Sequence, residues 1–262
     1  MRVLVTGGTG HIGSYIIHEL IAAGHEVIGL PGRTRPRLRC RRSAPRYDAG
    51  ISLTSTGSRP RRRTESDGVI HVAHRQDLLP SGGIDAVAAA EFQIMLAYGE
   101  ALAGTGKPLV VSGSIGSPGW ERLGRPATEE DPALPGGDAY KGTLRVRNAV
   151  ELAVIGLAGR GVRSSVVRIP PIAHSTTDAG FLQLLIGLAR EKGVIGYPGD
   201  GANLWPAVHA RDLASLFRWR LRRGRLANIG TGLRATASGS ARSPRLWAAV
   251  WACPPCPYPR TS

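Results

Sequence analysis

Gly7, Gly10 and Gly13 recur at three-residue intervals between RVLVT (2–6) and SYIIHELIAAG (14–24). The first segment is a β-branched run. In the second, Ile16, Ile17, Leu20 and Ile21 fall on one face at helical spacing, and Gly24 ends it. A chain that passes from strand to helix through such a turn must bend sharply, bring bare backbone close to a ligand and seat the helix against the strand. The helix N-terminus then offers unpaired N–H groups and a partial positive charge, which suit a pyrophosphate. Gly-rich turns are common, so the placement after a strand and before a helix carries the reading. A second group is Ser112 and Ser114 in KPLVVSGS (107–114). Hydroxyls at the C-terminal end of such a strand face a ligand, or else they cap the next turn. Cys253 and Cys256 have CxxC spacing, but two thiols without a second pair do not make a zinc site, and no metal is expected.

The surrounding pattern supplies a scaffold. HEVIGL (25–30), DGVIHVAH (67–74), KPLVVSGS (107–114), VRSSVVRIPP (162–171) and RLANIG (225–230) read as strands. Helices are expected at 84–106, 139–161, 181–193 and within 203–221, and 115–139 reads as a Gly- and Pro-rich loop. Strands alternating with helices predict an α/β fold, a doubly wound parallel sheet with a small C-terminal substrate-side part. The expected division is a nucleotide-binding domain over 1–171, a substrate-side region over 172–231 and a tail over 232–262. No apolar run is long enough for a membrane span, and the N-terminus lacks the charged and apolar regions of a signal peptide, so a cytoplasmic protein is expected.

The formal charge of +15 would suggest a polyanion partner. It is concentrated in two windows. Residues 31–64 hold eleven arginines and one acid, Asp48; residues 232–262 hold four arginines and no acid. The rest of the chain is nearly neutral. Residues 31–46 contain no aromatic side chain to interleave with the arginines, so no nucleic-acid partner is expected.

VLVTGGTGHIGS, GVIHVAH, PLVVSGS, VVRIPP and WPAVHARDLA resemble, in order and spacing, the extended and atypical short-chain dehydrogenases/reductases, the NAD-dependent epimerase/dehydratase-like group. The resemblance covers roughly 1–30 and 67–230 and implies a Rossmann-type fold with a nicotinamide dinucleotide as cofactor. It assigns Gly7, Thr9, Gly10, His11, Ile12 and Gly13 to the cofactor, with His71, Val72, Ala73 and His74 along its ribose and diphosphate, Ser112 beside it and Pro170 next to the nicotinamide. A histidine at a strand end is otherwise a solvated loop residue. No acid follows Leu30 while Arg33 does, which favours NADP over NAD. Trp205 and His209 face the substrate in this reading, or serve packing.

The family's chemistry uses a Ser or Thr with a Tyr and a Lys four residues later. The Lys lowers the phenol pKa, and the spacing sets both on one helix face. Ser114 matches the first position. Tyr140 is followed by Leu144 at that spacing, and counting back from Glu151 and Gly161 places the pair on Thr143 and Arg147. Ser114, Tyr140 and Arg147 are therefore the catalytic candidates. Arginine does not deprotonate but can hold ribose hydroxyls. Two classes stay open: an oxidoreductase or epimerase acting on a small carbonyl, hydroxyl or sugar-nucleotide substrate by hydride transfer, and a catalytically silent dinucleotide-binding sensor. Family resemblance also implies a homodimer through the helices at 84–106 and 139–161.

The family's third strand and its Gly-Asp-Leu-x-Asp turn are not visible in 31–64. When the third base of each codon is read with the first two of the next, GISLTSTG (50–57) can encode Asp-Leu-Thr-Asp-Leu-Asp. WAAVWACPPCPYP (247–259), read the same way, can encode Gly-Arg-Arg-Leu-Gly-Leu-Pro-Ala-Val-Pro-Val-Pro, both glycines being forced by the single Trp codon. The hypothesis is that 31–64 and 232–262 are out of frame, with the third strand lost from the middle of the sheet; resequencing the gene decides it, and an intact frame shared by close relatives overturns it.

Overall fold

The structure, a computed structural model, describes residues 1–30, 66–116, 128–176, 178, 180–198 and 206–223, with further strands at 228–231 and 255–258. Arg33, Cys40, Trp205 and most of both Arg-rich windows lie outside the described residues. The strands are β1 (Arg2–Thr6), β2 (Glu26–Leu30), β3 (Gly68–His71), β4 (Pro108–Ser114), β5 (Arg163–Ile169), β6 (Ile172–His174), β7 (Ile195–Pro198), β8 (Ala207–His209), β9 (Asn228–Thr231) and β10 (Pro255–Tyr258). The helices are α1 (His11–Ala22), α2 (Leu79–Leu102), α3 (Asn148–Gly156), α4 (Phe181–Lys192) and α5 (Ala210–Arg223).

Among the described residues, six strands form one parallel sheet in the order β2-β1-β3-β4-β5-β9. The apolar runs are continuous because both faces are covered. Val3, Val5, Ile70, Val110 and Val167 point to one face, where α1 and α5 add Ile16, Ile17, Leu20, Leu213, Phe217 and Leu221. Leu4, Val69, Leu109, Val111 and Val166 point to the other, against Met95, Tyr98 and Leu102 of α2 and Val150 and Val154 of α3. Ile21, expected on the buried face of α1, is 39% exposed. It lies one position past Leu20 and rotates off the apolar stripe.

The order bears on one expectation. Among the described residues β1 pairs with both β2 and β3, so the middle of the sheet has no gap. The third strand expected from 31–64 falls outside the described residues. β9 and α5, from the stretch assigned to the substrate side, complete the central sheet and one of its layers. β6 pairs with β8 and β7 with β10 in two small parallel sheets.

The helix expected over 139–161 is another correction. It breaks into a 3-10 turn at Asp138–Tyr140, a second at Leu144–Arg147, then α3 and a last 3-10 turn at Leu157–Arg160. Gly142 at φ 76° breaks the run, because helical residues need a negative φ. α2 likewise turns at Gly83, φ 61° and ψ −162°, so its regular part starts where the sequence places it.

Candidate active site

The C-terminal ends of all six sheet strands lie on one edge, where ligands bind in open parallel sheets. The turn after β1 shows why its glycines are needed. Gly7 sits at φ 73°, and a Cβ there would lie 2.7 Å from the Ala73 nitrogen. Val72 and Ala73 therefore pass directly beside the turn. A Cβ on Gly13 would run into the Gly7 carbonyl, and one on Gly10 would stand 3.1 Å from it. Gly10 is the N-cap of α1, and its amide donates to the Gly7 carbonyl at 2.9 Å. The first-turn amides of α1 have no partner within the helix, and no acidic side chain occupies that turn. This cradle fits a diphosphate.

The neighbouring strand ends bring in the other candidates. Thr6 pairs with His71 across the sheet, and Thr6 Oγ1 and His71 Nδ1 share a buried hydrogen bond of 2.8 Å. The His71 ring meets Tyr98 edge-on at 5.6 Å. Ser112 is half-buried and its hydroxyl lies 3.5 Å from the His71 carbonyl. Ser114 is exposed at the end of β4 and pairs with Ile169 in register, one residue before the buried Pro170. Its Oγ accepts the Gly116 amide at 3.2 Å, so the turn-capping role is realised and the O–H remains a donor.

His74 and Arg147 meet through a residue that the sequence reading did not single out. His74 Nδ1 lies 2.5 Å from Glu91 Oε1, and Arg147 places Nε and Nη2 each 3.1 Å from Glu91 Oε2. The Glu91 side chain is only 5% exposed, against 28% for His74 and 29% for Arg147. Burial pushes the Glu91 carboxyl up, but the His74 hydrogen bond and the Arg147 charge outweigh it and hold the group below its ordinary value. Glu91 was legible after all: Val87, Ala88, Glu91, Met95 and Tyr98 share the helical spacing of the buried face. An acid on that stripe demands a partner.

Tyr140 stands apart from this group. Its ring lies under the Arg145 guanidinium, 3.9 Å from the centroid, in a 3-10 turn and not on α3. Asp85 of α2 pins the same loop by accepting the Gly142 amide at 2.8 Å. Thr143 is extended, at φ −121° and ψ 158°, and Arg147 is the N-cap of α3. Thr143 and Arg147 therefore do not share a helix face, which corrects the geometry expected for the pair.

His11 ties the phosphate turn to the small sheet. Its Nε2 donates to the Ala173 carbonyl at 2.8 Å, and Ser175 Oγ lies 3.1 Å from its Nδ1. Both ring nitrogens are engaged. Next to it the His174 and His209 rings meet at 5.2 Å, and His209 meets Tyr15 at 5.8 Å. Burial and then His209 hold the His174 pKa below its ordinary 6.5, more than Asp178 raises it. The unfolded chain thus takes up protons at a higher pH than the folded one, and stability is lost as pH falls below about 6.5. His174→Gln is expected to flatten the fall in melting temperature between pH 7 and 5, as thermal melts over that range would read. Among the described residues, no group of three or more His, Cys, Asp or Glu is placed to hold a metal.

A buried ion pair closes the other side. Arg168 on β5 donates from Nε and Nη2 to Glu151 Oε1 at 3.0 and 2.7 Å, and from Nη1 to the Asp131 carbonyl at 2.9 Å. Both side chains are at most 3% exposed. Gly113 makes room for the pair, since a Cβ there would lie 3.0 Å from Glu151 Oε2.

A parallel sheet of this order, with a glycine cradle at the first strand–helix turn, defines a dinucleotide-binding protein of the Rossmann type. The chain belongs to the NAD dependent epimerase/dehydratase family, whose sequence profile matches residues 3–230. An uncharacterised protein of Schizosaccharomyces pombe is 34% identical over 221 residues, covering 83% of this chain and 69% of that protein. In fold the chain is similar to UDP-glucose 4-epimerase of Thermotoga maritima, solved with UDP-glucose, at TM-score 0.71 and 18% identity over 100% of this chain and 87% of that one. It is also similar to a human epimerase family protein solved with NADPH, at TM-score 0.62 and 20% identity over 99% and 83% of the two chains.

Proposed function

We propose that the protein is an NAD(P)-dependent oxidoreductase or epimerase-like enzyme that acts on a small carbonyl, hydroxyl or sugar-nucleotide substrate by hydride transfer. The observation that carries this reading is the Gly7–Gly13 cradle, bare backbone at a helix N-terminus on the ligand edge of the sheet. Gly7, Thr9, Gly10, His11, Ile12 and Gly13 hold the diphosphate, and Val72, Ala73, His74, Ser112 and Pro170 line the rest of the cofactor. When bound, the nicotinamide supplies or accepts the hydride. Ser114 offers its O–H to the substrate oxygen. Arg33, with no acid after Leu30, favours NADP. Leu96 and Leu152, both more than 40% exposed on α2 and α3, support a homodimer through those helices.

Thermal melts with NADPH and with NADH test the binding half. At a ligand concentration of 100 Kd the stability gain is about 2.7 kcal/mol, which is several degrees for a chain of this size. NADPH is expected to raise the midpoint more than NADH, and no shift with either overturns the reading. Oxidation of NADPH with a panel of small aldehydes and ketones, and reduction of NADP with UDP-glucose, test the chemistry. A second reading, a silent dinucleotide sensor, rests on Thr143 and Arg147 standing where the Tyr and Lys are expected. Binding without turnover selects it.

A further inference from the structure

Without a phenol on α3, a hydride-transferring site needs another group to move the proton. We propose that His74 is that group, held for the task by Glu91, with Arg147 as the residue that fixes Glu91. The inference rests on the oxidoreductase reading above. Three segments converge to build it: the loop after β3, the buried face of α2 and the start of α3. His74 follows directly on Val72 and Ala73, which pass against the phosphate turn, so it stands at the cofactor's edge of the sheet. Its ring is partly exposed while its carboxylate partner is buried.

The hydrogen bonds dictate the tautomer. Arg147 has only N–H donors, so Glu91 Oε2 accepts from it. Glu91 Oε1, an ionised carboxylate oxygen, accepts from His74 Nδ1, which must carry a proton. In the neutral ring the lone pair is then on Nε2, the nitrogen not engaged by Glu91. Other charged groups on the same segment are Arg75 and Asp77, which pair with each other at 2.8 Å; β1 contributes Thr6, which is bonded to His71.

Reduction of a carbonyl adds a hydride at carbon and a proton at oxygen, and the chain's part is the proton. The imidazolium N–H at Nε2 breaks, the O–H bond forms and a neutral ring remains with its proton on Nδ1. In the oxidative direction the alcohol proton passes to the Nε2 lone pair, and the charge that develops on the ring faces the Glu91 carboxylate. Glu91 and Arg147 are positioning residues, since neither needs to touch the substrate.

Glu91→Gln tests the device at nearly constant shape. The amide has a single oxygen, and Arg147 can only donate, so the oxygen turns to Arg147 and the NH2 to His74. Nδ1 must then accept, and the neutral ring's proton moves to Nε2. Nitrogen-15 NMR of the labelled full chain, with His74 assigned through His74→Gln, reads this directly. The expected result is the Nδ1–H tautomer in the wild type and the Nε2–H tautomer in Glu91→Gln; the same tautomer in both overturns the proposal. In turnover of the UDP-glucose and carbonyl panel at saturating NADPH, His74→Gln is expected to lower kcat by about 100-fold, whatever it does to the NADPH dissociation constant. A kcat within threefold of wild type overturns the acid–base role even where NADPH binds normally. Failure of the wild type to bind NADPH overturns the enzymatic reading instead, and binding without any turnover overturns both that reading and the acid–base role.

Discussion

Gly13→Ala is expected to lower affinity for NADPH by at least about 100-fold, close to 3 kcal/mol of binding free energy, while leaving a folded protein. The new Cβ would run into the Gly7 carbonyl. The first turn of α1 must then move away from β1, and the amides that face the diphosphate move with it. Gly24→Ala is the matched control. Gly24 also has a positive φ, 77°, but an added Cβ there meets nothing within 4 Å. It costs only the left-handed backbone strain, about 1–2 kcal/mol, and sits at the far end of α1 from the cradle. Quenching or enhancement of NADPH fluorescence on titration, together with circular dichroism, separates the two. Unchanged affinity in Gly13→Ala removes the cradle from the binding site.

The second large effect concerns stability. Arg168→Met is expected to cost about 3–5 kcal/mol, because it leaves the Glu151 carboxylate buried without its ion-pair partner. It also removes the donor to the Asp131 carbonyl. For a chain of this length that is a fall of very roughly 6–20 °C in melting temperature. The double change Arg168→Met with Glu151→Leu is expected to recover much of the loss, since apolar replacements of similar volume remove the desolvation cost of both charges. Urea midpoints of the wild type, the single variant and the double variant decide it. A single variant as stable as the wild type shows that the pair contributes nothing.

The same pair shows where legibility ended. SSVVRI was readable as a buried strand, and Arg168 is one residue of an alternating pattern whose even positions face α3. Nothing in the spacing says that Glu151, seventeen residues away on another element, stands opposite it. The glycine turn after β1 was legible because its demands are local: a strand, a positive φ, glycine where a Cβ cannot fit, then a helix. The order of strands was only partly legible, because adjacency in sequence does not state which strands pair: β1 lies between β2 and β3.

The catalytic candidates divide along the same line. Ser114 follows from a strand end, which the apolar run locates correctly, since β4 ends at Ser114. Tyr140, Thr143 and Arg147 were placed on a helix because the run from 139 to 161 is apolar enough to look continuous. Gly142 breaks it, and this puts Arg147 at an N-cap reaching for Glu91, with Tyr140 stacked on Arg145. The sequence alone determined the fold class and the glycine turn after β1, since these rest on periodicity and on conformations that few residues permit; the family came from the resemblance of its motifs. Tertiary structure alone decided which charges meet. The Arg147–Glu91–His74 chain and the Arg168–Glu151 pair join elements distant in sequence, and each exists because a buried carboxylate must find a donor wherever packing brings one within reach.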